Sequence, residues 1–526
     1  MVDATLETAL EEFRLVELDQ FESRVQDEVG RLRGLVSDGV FDNPQALTGL
    51  EYEFYAVRDP LIQDDTHETP GALARVPRRL LEFIRFENEL GLHNAELATN
   101  PLPLNGDGIV AQEATISAQL TSALESVRTE GLRLVSDGMW TIPPSGETAT
   151  DYLTASVKDQ GYRIASNMSA SPRYHSMADP PGTVSPAMRI EAPHVAIDAE
   201  TVMPESLITS IQPHYQVPRA EHLPRYFRAA LRVAGPLVSL GANAPFFPPD
   251  MYDDVEPERI LADGFADHRI HVFESVMNDP DSGTKKVRFP EDIETVTDAI
   301  ERIATDPVMV PLESESAGRF DDQFGNFRAK TGTFWRWVRP VFDGATRSAA
   351  NARIEFRPLS AQPTVRDSVG FLAAFAGLME ALPARDHPVM DLPWEEDRDN
   401  FYTAARSGLG AELTWRTIDG TTPSSSRRVY DDLLDQAAEG LRIRGCSEEL
   451  IGRYLGPLRR RVRHWQTPAG WSRRRVREQL DRGDSFAEAV TAMKKEYLYN
   501  QAMTLLNDDF TAWIDGGPPN GSSTAA

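Results

Sequence analysis

Gly49-Leu50-Glu51-Tyr52-Glu53-Phe54-Tyr55 sets Leu, Tyr and Phe alternately with Glu. An extended strand turns every second side chain to the same face. Two later stretches repeat the pattern: Ser210-Ile211-Gln212-Pro213-His214-Tyr215-Gln216-Val217 and Arg353-Ile354-Glu355-Phe356-Arg357. A sheet assembled from them carries Glu, Gln, His and Arg on one surface and Leu, Ile, Tyr and Phe on the other. The apolar surface calls for a core, and the polar one has the chemistry of a metal-nucleotide site.

Glu51 and Glu53 share a face, and two carboxylates so close stay ionised most easily with a cation between them. Hard cations, Mg²⁺ above all, take such oxygens; a half-exposed strand of an acidic protein has the same pattern. Gln212, His214 and Gln216 share a second polar face, with His214 as a ligand or as a packed, hydrogen-bonded histidine. Arg353, Glu355 and Arg357 mix acid with guanidinium, which suits a metal beside anionic oxygens and equally a cross-strand ion-pair ladder. In Gly332-Thr333-Phe334-Trp335-Arg336-Trp337-Val338-Arg339-Pro340 the aromatics read as core, with Arg336 or Arg339 reaching a phosphate. Asn94-Ala95-Glu96-Leu97-Ala98-Thr99-Asn100-Pro101 is a fourth short extended stretch, and Glu96 is a further candidate oxygen ligand or a plain loop acid.

The chain has 526 residues and a net charge of -27. Its basic residues are nearly all Arg, because Lys158, Lys285, Lys286, Lys330, Lys494 and Lys495 are the full set of lysines. Excess carboxylate with scarce lysine suits a salt-rich, halophilic cytoplasm, where a dense acidic surface preserves hydration under nearly complete screening. That acidity argues against nucleic acid as the main partner. A single cysteine, Cys446, excludes an intrachain disulfide and a Cys-rich metal knuckle, and fits a reducing cytosol. The start of the chain lacks a basic, then apolar, export signal, and no window approaches the ~18 uninterrupted apolar residues of a membrane span. There is no Gly-x-x-x-x-Gly-Lys-Ser/Thr loop, no His-Glu-x-x-His and no Gly-x-Ser-x-Gly, so a bound nucleotide has to be held by metals and arginines.

Along the chain, 1–45 reads as an N-terminal helical extension, with helical spacing of Leu and Val from about Leu6 to Val36. Residues 46–420 form the catalytic-looking domain. Its Pro- and Asp-rich segments at Thr141 to Gly146, Phe247 to Asp250 and Asp386 to Glu396 are expected as surface loops. Residues 421–510 turn helical and charged, with Ser485-Phe486-Ala487-Glu488 as a capping box. Residues 511–526, ending in a Gly/Pro/Ser-rich stretch, are expected to be disordered.

Taken in order, Gly49-Leu50-Glu51-Tyr52-Glu53-Phe54, Glu87-Asn88-Glu89-Leu90-Gly91, Asn94-Ala95-Glu96-Leu97 and Ser210-Ile211-Gln212-Pro213-His214 resemble the carboxylate-amine ligase family that contains glutamate-cysteine ligases of the second type. Gly235-Pro236-Leu237 through Gly241-Ala242-Asn243-Ala244-Pro245-Phe246, Ala352 to Arg357, Asn400 to Leu409 and Thr467-Pro468-Ala469-Gly470-Trp471 extend the resemblance, discontinuously, to about residue 500. It implies an α+β fold like that of glutamine synthetase: a curved antiparallel sheet with flanking helices, here with the N-terminal helix and C-terminal helical layer added. It implies Glu51, Glu53, Glu96, His214 and Glu355 as the metal and nucleotide shell, Arg357 at the phosphate or acyl phosphate, and Arg173 of Ser171-Pro172-Arg173-Tyr174 at the amino-acid substrate. Many members carry His where Gln212 stands, which leaves the amine substrate open.

The activity implied is ATP- and Mg²⁺-dependent (or Mn²⁺-dependent) joining of the γ-carboxylate of glutamate to an amine, cysteine first, through an acyl phosphate. Alternatives are the same fold with another amine, and a paralogue that binds nucleotide or glutamate without turnover. A nucleic-acid reading rests on Arg459, Arg460, Arg461, Arg463, Arg473, Arg474 and Arg475 with Trp465 and Trp471; the same run also reads as a helical face paired with the acidic body. Oligomerisation stays open.

Overall fold

The computed structural model describes residues 15–60, 69–159, 162–314 and 316–514. Its thirteen strands, in chain order, are β1 (Leu47–Arg58), β2 (Glu87–Asn88), β3 (Asn94–Ala98), β4 (Leu102–Pro103), β5 (Leu132–Val135), β6 (Ser156–Asp159), β7 (Tyr162–Ala165), β8 (Arg189–Ala192), β9 (Val195–Asp198), β10 (Ser210–Val217), β11 (Val338–Asp343), β12 (Asn351–Phe356) and β13 (Leu359–Ser360). Nine of them form one curled antiparallel sheet, with the order β11-β12-β10-β1-β3-β2 and with β4, β5 and β13 pairing off this path. β6 pairs with β7 and β8 with β9 as separate hairpins. The three alternating segments of the sequence thus become neighbours: β1 pairs with β10, and β10 with β12.

Strand alternation works as elementary geometry requires. Leu50, Tyr52 and Phe54 are buried, as are Ile211, Tyr215, Ile354 and Phe356, and helices cover that face. The Val365–Ala384 helix lies against β10 and the C-terminal helices Ser426–Ile443 and Glu448–His464 lie against it in turn. It is the one described helix long and apolar enough to cross a membrane, yet 94% of its apolar window is buried inside the fold. Its closest neighbour is Ser426–Ile443, and the crossing is possible because Gly377 and Gly440 meet there: a Cβ on either would collide with backbone carbonyl oxygen of the other helix. A single buried apolar cluster runs from Phe21 to Trp513 and binds the N-terminal helix, the sheet and the C-terminal helices into one core.

The N-terminal helix spans Leu18–Ser37; the part of its expected range before residue 15 lies outside the described residues. Ser485 and Glu488 form the expected capping box, the serine Oγ accepting from the Glu488 amide and the glutamate accepting from the Ser485 amide at 2.9 Å. Of the tail expected to be disordered, 511–526, the first residues belong to the short 3-10 helix Phe510–Trp513, whose buried Trp513 packs on Trp471, Tyr497 and Phe510; residues 515–526 lie outside the described residues. The Pro-rich segments depart from the surface-loop expectation. Thr141, Ile142, Phe247, His387 and Val389 are all buried, because aromatic contacts such as Phe247 with His268, and the hydrogen bond from the Val389 amide to His387 Nδ1, draw these turns into the core. Proline punctuates the chain in both settings; only packing separates them.

Candidate active site

Register places the polar residues in rows across the sheet. Arg339 on β11 stands opposite Glu355 on β12, and Glu355 opposite His214 on β10. Glu51 on β1 stands opposite Gln212 on β10, while Glu53 faces Glu96 on β3, and Glu96 faces Glu87 on β2. Three rows of alternating side chains, far apart in sequence, therefore make one surface of acids flanked by guanidiniums.

Glu355 is the electrostatic centre of the first row. Its Oε1 accepts from Arg357 Nη1 at 2.6 Å and from Arg339 Nε at 2.9 Å. Burial, the largest single influence, acts to raise its pKa, but the two guanidiniums and His214 together hold the carboxyl well below its ordinary range. Glu51 lies with its Oε1 3.1 Å from His214 Nε2; burial again pushes upward, and the histidine outweighs it, so this carboxyl too is lowered.

Glu53 and Glu96 behave in the opposite way. Glu53 accepts from the Ser210 amide at 2.6 Å, from Ser210 Oγ at 2.9 Å and from Gln212 Nε2 at 2.9 Å. Even so, burial and the charge of Glu89 push it up to about 7. Burial, with Glu89 and Glu51, drives Glu96 well above its usual value. Glu205 is pushed up to about 8 by burial and by Glu89 and Glu53. These carboxyls resist ionisation chiefly because they are buried, and the poorly balanced negative charge nearby adds to it.

The imbalance is visible in the cavity that the second and third rows line. A space of about 360 Å³ is bounded by Glu51, Glu53, Glu87, Glu89, Glu96 and Glu205 against Arg173, Arg339 and Arg357, with Gln212, Tyr174 and Trp335 completing the wall. A second space, about 270 Å³, is lined by Glu51, His214, Gln216, Asn351, Arg353 and Asp343. Glu51 lines both, so the two adjoin at that carboxylate.

Of the residues singled out in the sequence, Glu51, Glu53, Glu96, Gln212, Arg173, Arg339 and Arg357 line the first cavity, and His214, Gln216 and Arg353 the second, with Glu355 between. Gln216 is held by backbone, its Nε2 donating to the Asn43 and Gln45 carbonyls. Arg336 is not in this group. It precedes β11 and is buried, its Nη2 2.6 Å from Asp306 and its guanidinium over the Phe334 ring, beside a separate space of about 180 Å³. Glu87, Glu89, Glu205 and Arg269 were not foreseen as site residues. Glu87 and Glu89 repeat the i, i+2 spacing of Glu51 and Glu53, which is a readable signal. Glu205 sits in the short 3-10 turn Met203–Leu207, and Arg269, donating to the Arg357 carbonyl at 3.1 Å, opens the Arg269–Met277 helix; neither position has a periodic sign.

The donor set fits a hard divalent cation. One ligand atom each from Glu51, His214 and Glu355 can be chosen so that all lie within 4.8 Å of one another. Gln212 Oε1 is buried with no hydrogen-bond partner, and an acceptor without a donor beside carboxylates is what a cation satisfies. Arg353 Nε donates to His214 Nδ1 at 3.2 Å, which places the proton of a neutral ring on Nε2. Ligation through Nε2 therefore needs the other tautomer, with Arg353 turned to Asp343, already 2.7 Å away.

Acids and guanidiniums thus face two adjoining cavities on one antiparallel sheet. The chain belongs to glutamate-cysteine ligase family 2, whose sequence model matches residues 47–492. Among solved structures, it is similar to a glutamate-cysteine ligase from Francisella tularensis in complex with AMP, at 13% identity over 89% of this chain and 91% of that one, with a TM-score of 0.49. A bifunctional glutathione synthetase from Pasteurella multocida is similar at 11% identity over 90% of this chain and 55% of that one, with a TM-score of 0.44. The complex of the prokaryotic ubiquitin-like protein Pup with its ligase PafA gives 10% identity, 86% and 72% coverage and a TM-score of 0.39. No curated protein matches the chain.

Proposed function

We propose that this protein is an ATP-dependent carboxylate-amine ligase that joins the γ-carboxylate of glutamate to the amine of cysteine through an acyl phosphate. The reading rests on one observation: Glu51, Glu53, Glu96 and Glu355 gather from neighbouring strands beside two cavities that share Glu51, and the first of these presents Arg173, Arg339 and Arg357 to the acids. Mg²⁺ or Mn²⁺, held by Glu51, Glu53, Glu96, Glu355 and His214, would supply charge neutralisation at the phosphates.

The chain's own residues do the remaining work by position and charge, which is what phosphoryl transfer asks of a protein. The Asp343, Asn351, Arg353 and Gln216 side suits a nucleotide. Arg339 and Arg357, locked by Glu355 at 2.9 and 2.6 Å, present fixed donors to oxygens that gain negative charge during transfer. Arg173, across the same cavity, suits the carboxylate end of an amino acid. No covalent protein nucleophile is needed. The acidic, lysine-poor composition supports work in a salt-rich cytoplasm, where screening confines ATP's repulsion by the net charge to within ~3 Å.

The test is phosphate release from Mg-ATP in multimolar KCl, with glutamate and a panel of amines including cysteine, and products identified by mass. A γ-glutamyl product formed with phosphate supports the proposal and names the amine. Folded protein that releases no phosphate with any pair overturns it.

A further inference from the structure

The seven-residue helix Gly325–Thr331 lies between the N-terminal helix and the first cavity. A helix this short is not stable by itself, and its first amides need acceptors from elsewhere. Its own N-cap residue, Phe324, supplies no side-chain acceptor. Glu28, from the Leu18–Ser37 helix, supplies it across the fold: one carboxylate oxygen accepts from the Phe327 amide at 2.8 Å and the other from Asn326 Nδ2 at 2.6 Å. Glu28 is 5% exposed, and its charge sits at the positive end of the helix dipole.

The opposite end of the same helix faces the site. The Thr331 carbonyl accepts from Arg339 Nη1 at 3.0 Å, and the Gly332 carbonyl accepts from Arg173 Nη2 at 3.1 Å. Both guanidiniums line the cavity of about 360 Å³. The two ends are about 10 Å apart at the usual helical rise, and a short helix transmits a shift at one end to the other as a rigid body. Phe41 reinforces the arrangement, packing on Phe324 before the helix and on Phe342 of β11, the strand that carries Arg339.

We propose that Glu28 is a positioning residue for the ligase reaction: by capping the Gly325–Thr331 helix from the N-terminal helix, it fixes the two carbonyls that aim Arg173 and Arg339 at the anionic substrate. The N-terminal helix is then part of the catalytic apparatus although it touches no substrate. This inference rests on the ligase reading for the identity of the substrate, and on the hydrogen bonds alone for the role of Glu28.

The experiment compares wild type, Glu28→Ala and Glu28→Gln as full chains in multimolar KCl. Steady-state kinetics against L-glutamate are expected to show a KM about tenfold higher in Glu28→Ala, from misaimed Arg173, together with a kcat lowered several-fold, from misaimed Arg339, and Glu28→Gln between. An unchanged KM in folded Glu28→Ala, or a fall in thermal stability with both constants intact, overturns the proposal. Where wild type turns over no glutamate-amine pair, the ligase reading fails separately, and amide hydrogen exchange over residues 325–332 decides on Glu28. Faster exchange in Glu28→Ala over these residues supports the role; exchange as slow as in wild type overturns it.

Discussion

Raising the pH of metal-free protein from about 6.5 to about 8 should lower its stability, and a divalent cation should reverse the trend. Glu53 stands at about 7 and Glu205 at about 8 in the folded chain, against 4.5 for an ordinary glutamate. The folded state therefore keeps protons that the unfolded state releases, so stability is present below the ordinary value and is lost as the pH climbs through the folded one. For Glu53 alone, the rise from 4.5 to about 7 corresponds to about 3 kcal/mol. Water entering the open cavity reduces this to about 1–2 kcal/mol. Glu355 and Glu51, held low, act with the opposite sign but only in acid, and His93, His175, His268 and His271, held low by burial, add stability with rising pH only up to about 6.5, the ordinary value for histidine, so the carboxyl effect is read above it. Denaturant midpoints measured across the window at constant KCl, with a chelator or with excess MgCl₂, read the effect directly. The chelated series should fall with pH, the Mg²⁺ series should stay level or rise because the cation displaces the same protons, and Glu53→Gln should flatten the chelated slope. A chelated series that rises with pH, or one that Mg²⁺ leaves unaltered, would refute the account of an unbalanced carboxylate row.

Glu355→Ala should abolish metal-dependent phosphate release and strand Arg339 and Arg357 as buried, unpaired cations, at a cost of about 3 kcal/mol in denaturant unfolding; retained turnover would remove Glu355 from the site. Arg461→Met should cost about 3–5 kcal/mol with KM values unchanged, since Arg461 is fully buried and bonded to Asp367 at 2.6 Å and to Gln362 at 2.8 Å; adding Asp367→Leu should restore much of the loss. Gly440→Ala should lower the thermal midpoint, by about 1–3 kcal/mol of overpacking at the Gly377 crossing, and an unshifted melt would show that the two helices separate freely. Thermal midpoints should rise with KCl into the molar range as the -27 net charge is screened; a midpoint highest in dilute buffer would count against salt adaptation.

Several parts of the site were legible because they depend on local periodicity. Glu51 with Glu53, Gln212 with His214, and Glu355 with Arg357 share faces by the alternation of a strand, and the apolar residues between them were bound to form a core. The Ser485 and Glu488 capping box is similarly local. The Arg-rich C-terminal run was ambiguous in sequence, and packing shows how it is used: Arg461 is buried on Asp367, Arg460 pairs with Asp509 at 2.5 Å, and Arg475 pairs with Glu478 at 2.8 Å and Glu496 at 3.1 Å. Arg336 and Arg339 show the limit of periodicity. In sequence both were arginines among aromatics, but Arg339 lies on β11 opposite Glu355, while Arg336 precedes the strand and turns to Asp306.

The sequence by itself determined which residues alternate, which ends are capped and how much charge the chain carries, since each follows from bond geometry over a few residues. Tertiary structure alone decided that three strands from residues 47–58, 210–217 and 351–356 lie side by side, so that Glu51, His214 and Glu355 converge. It also brought in Glu205 and Arg269 from a turn and a helix start, and set Glu28 at the far end of a helix that holds two site arginines. Convergence of this kind depends on register and packing between distant segments, which one-dimensional periodicity does not encode.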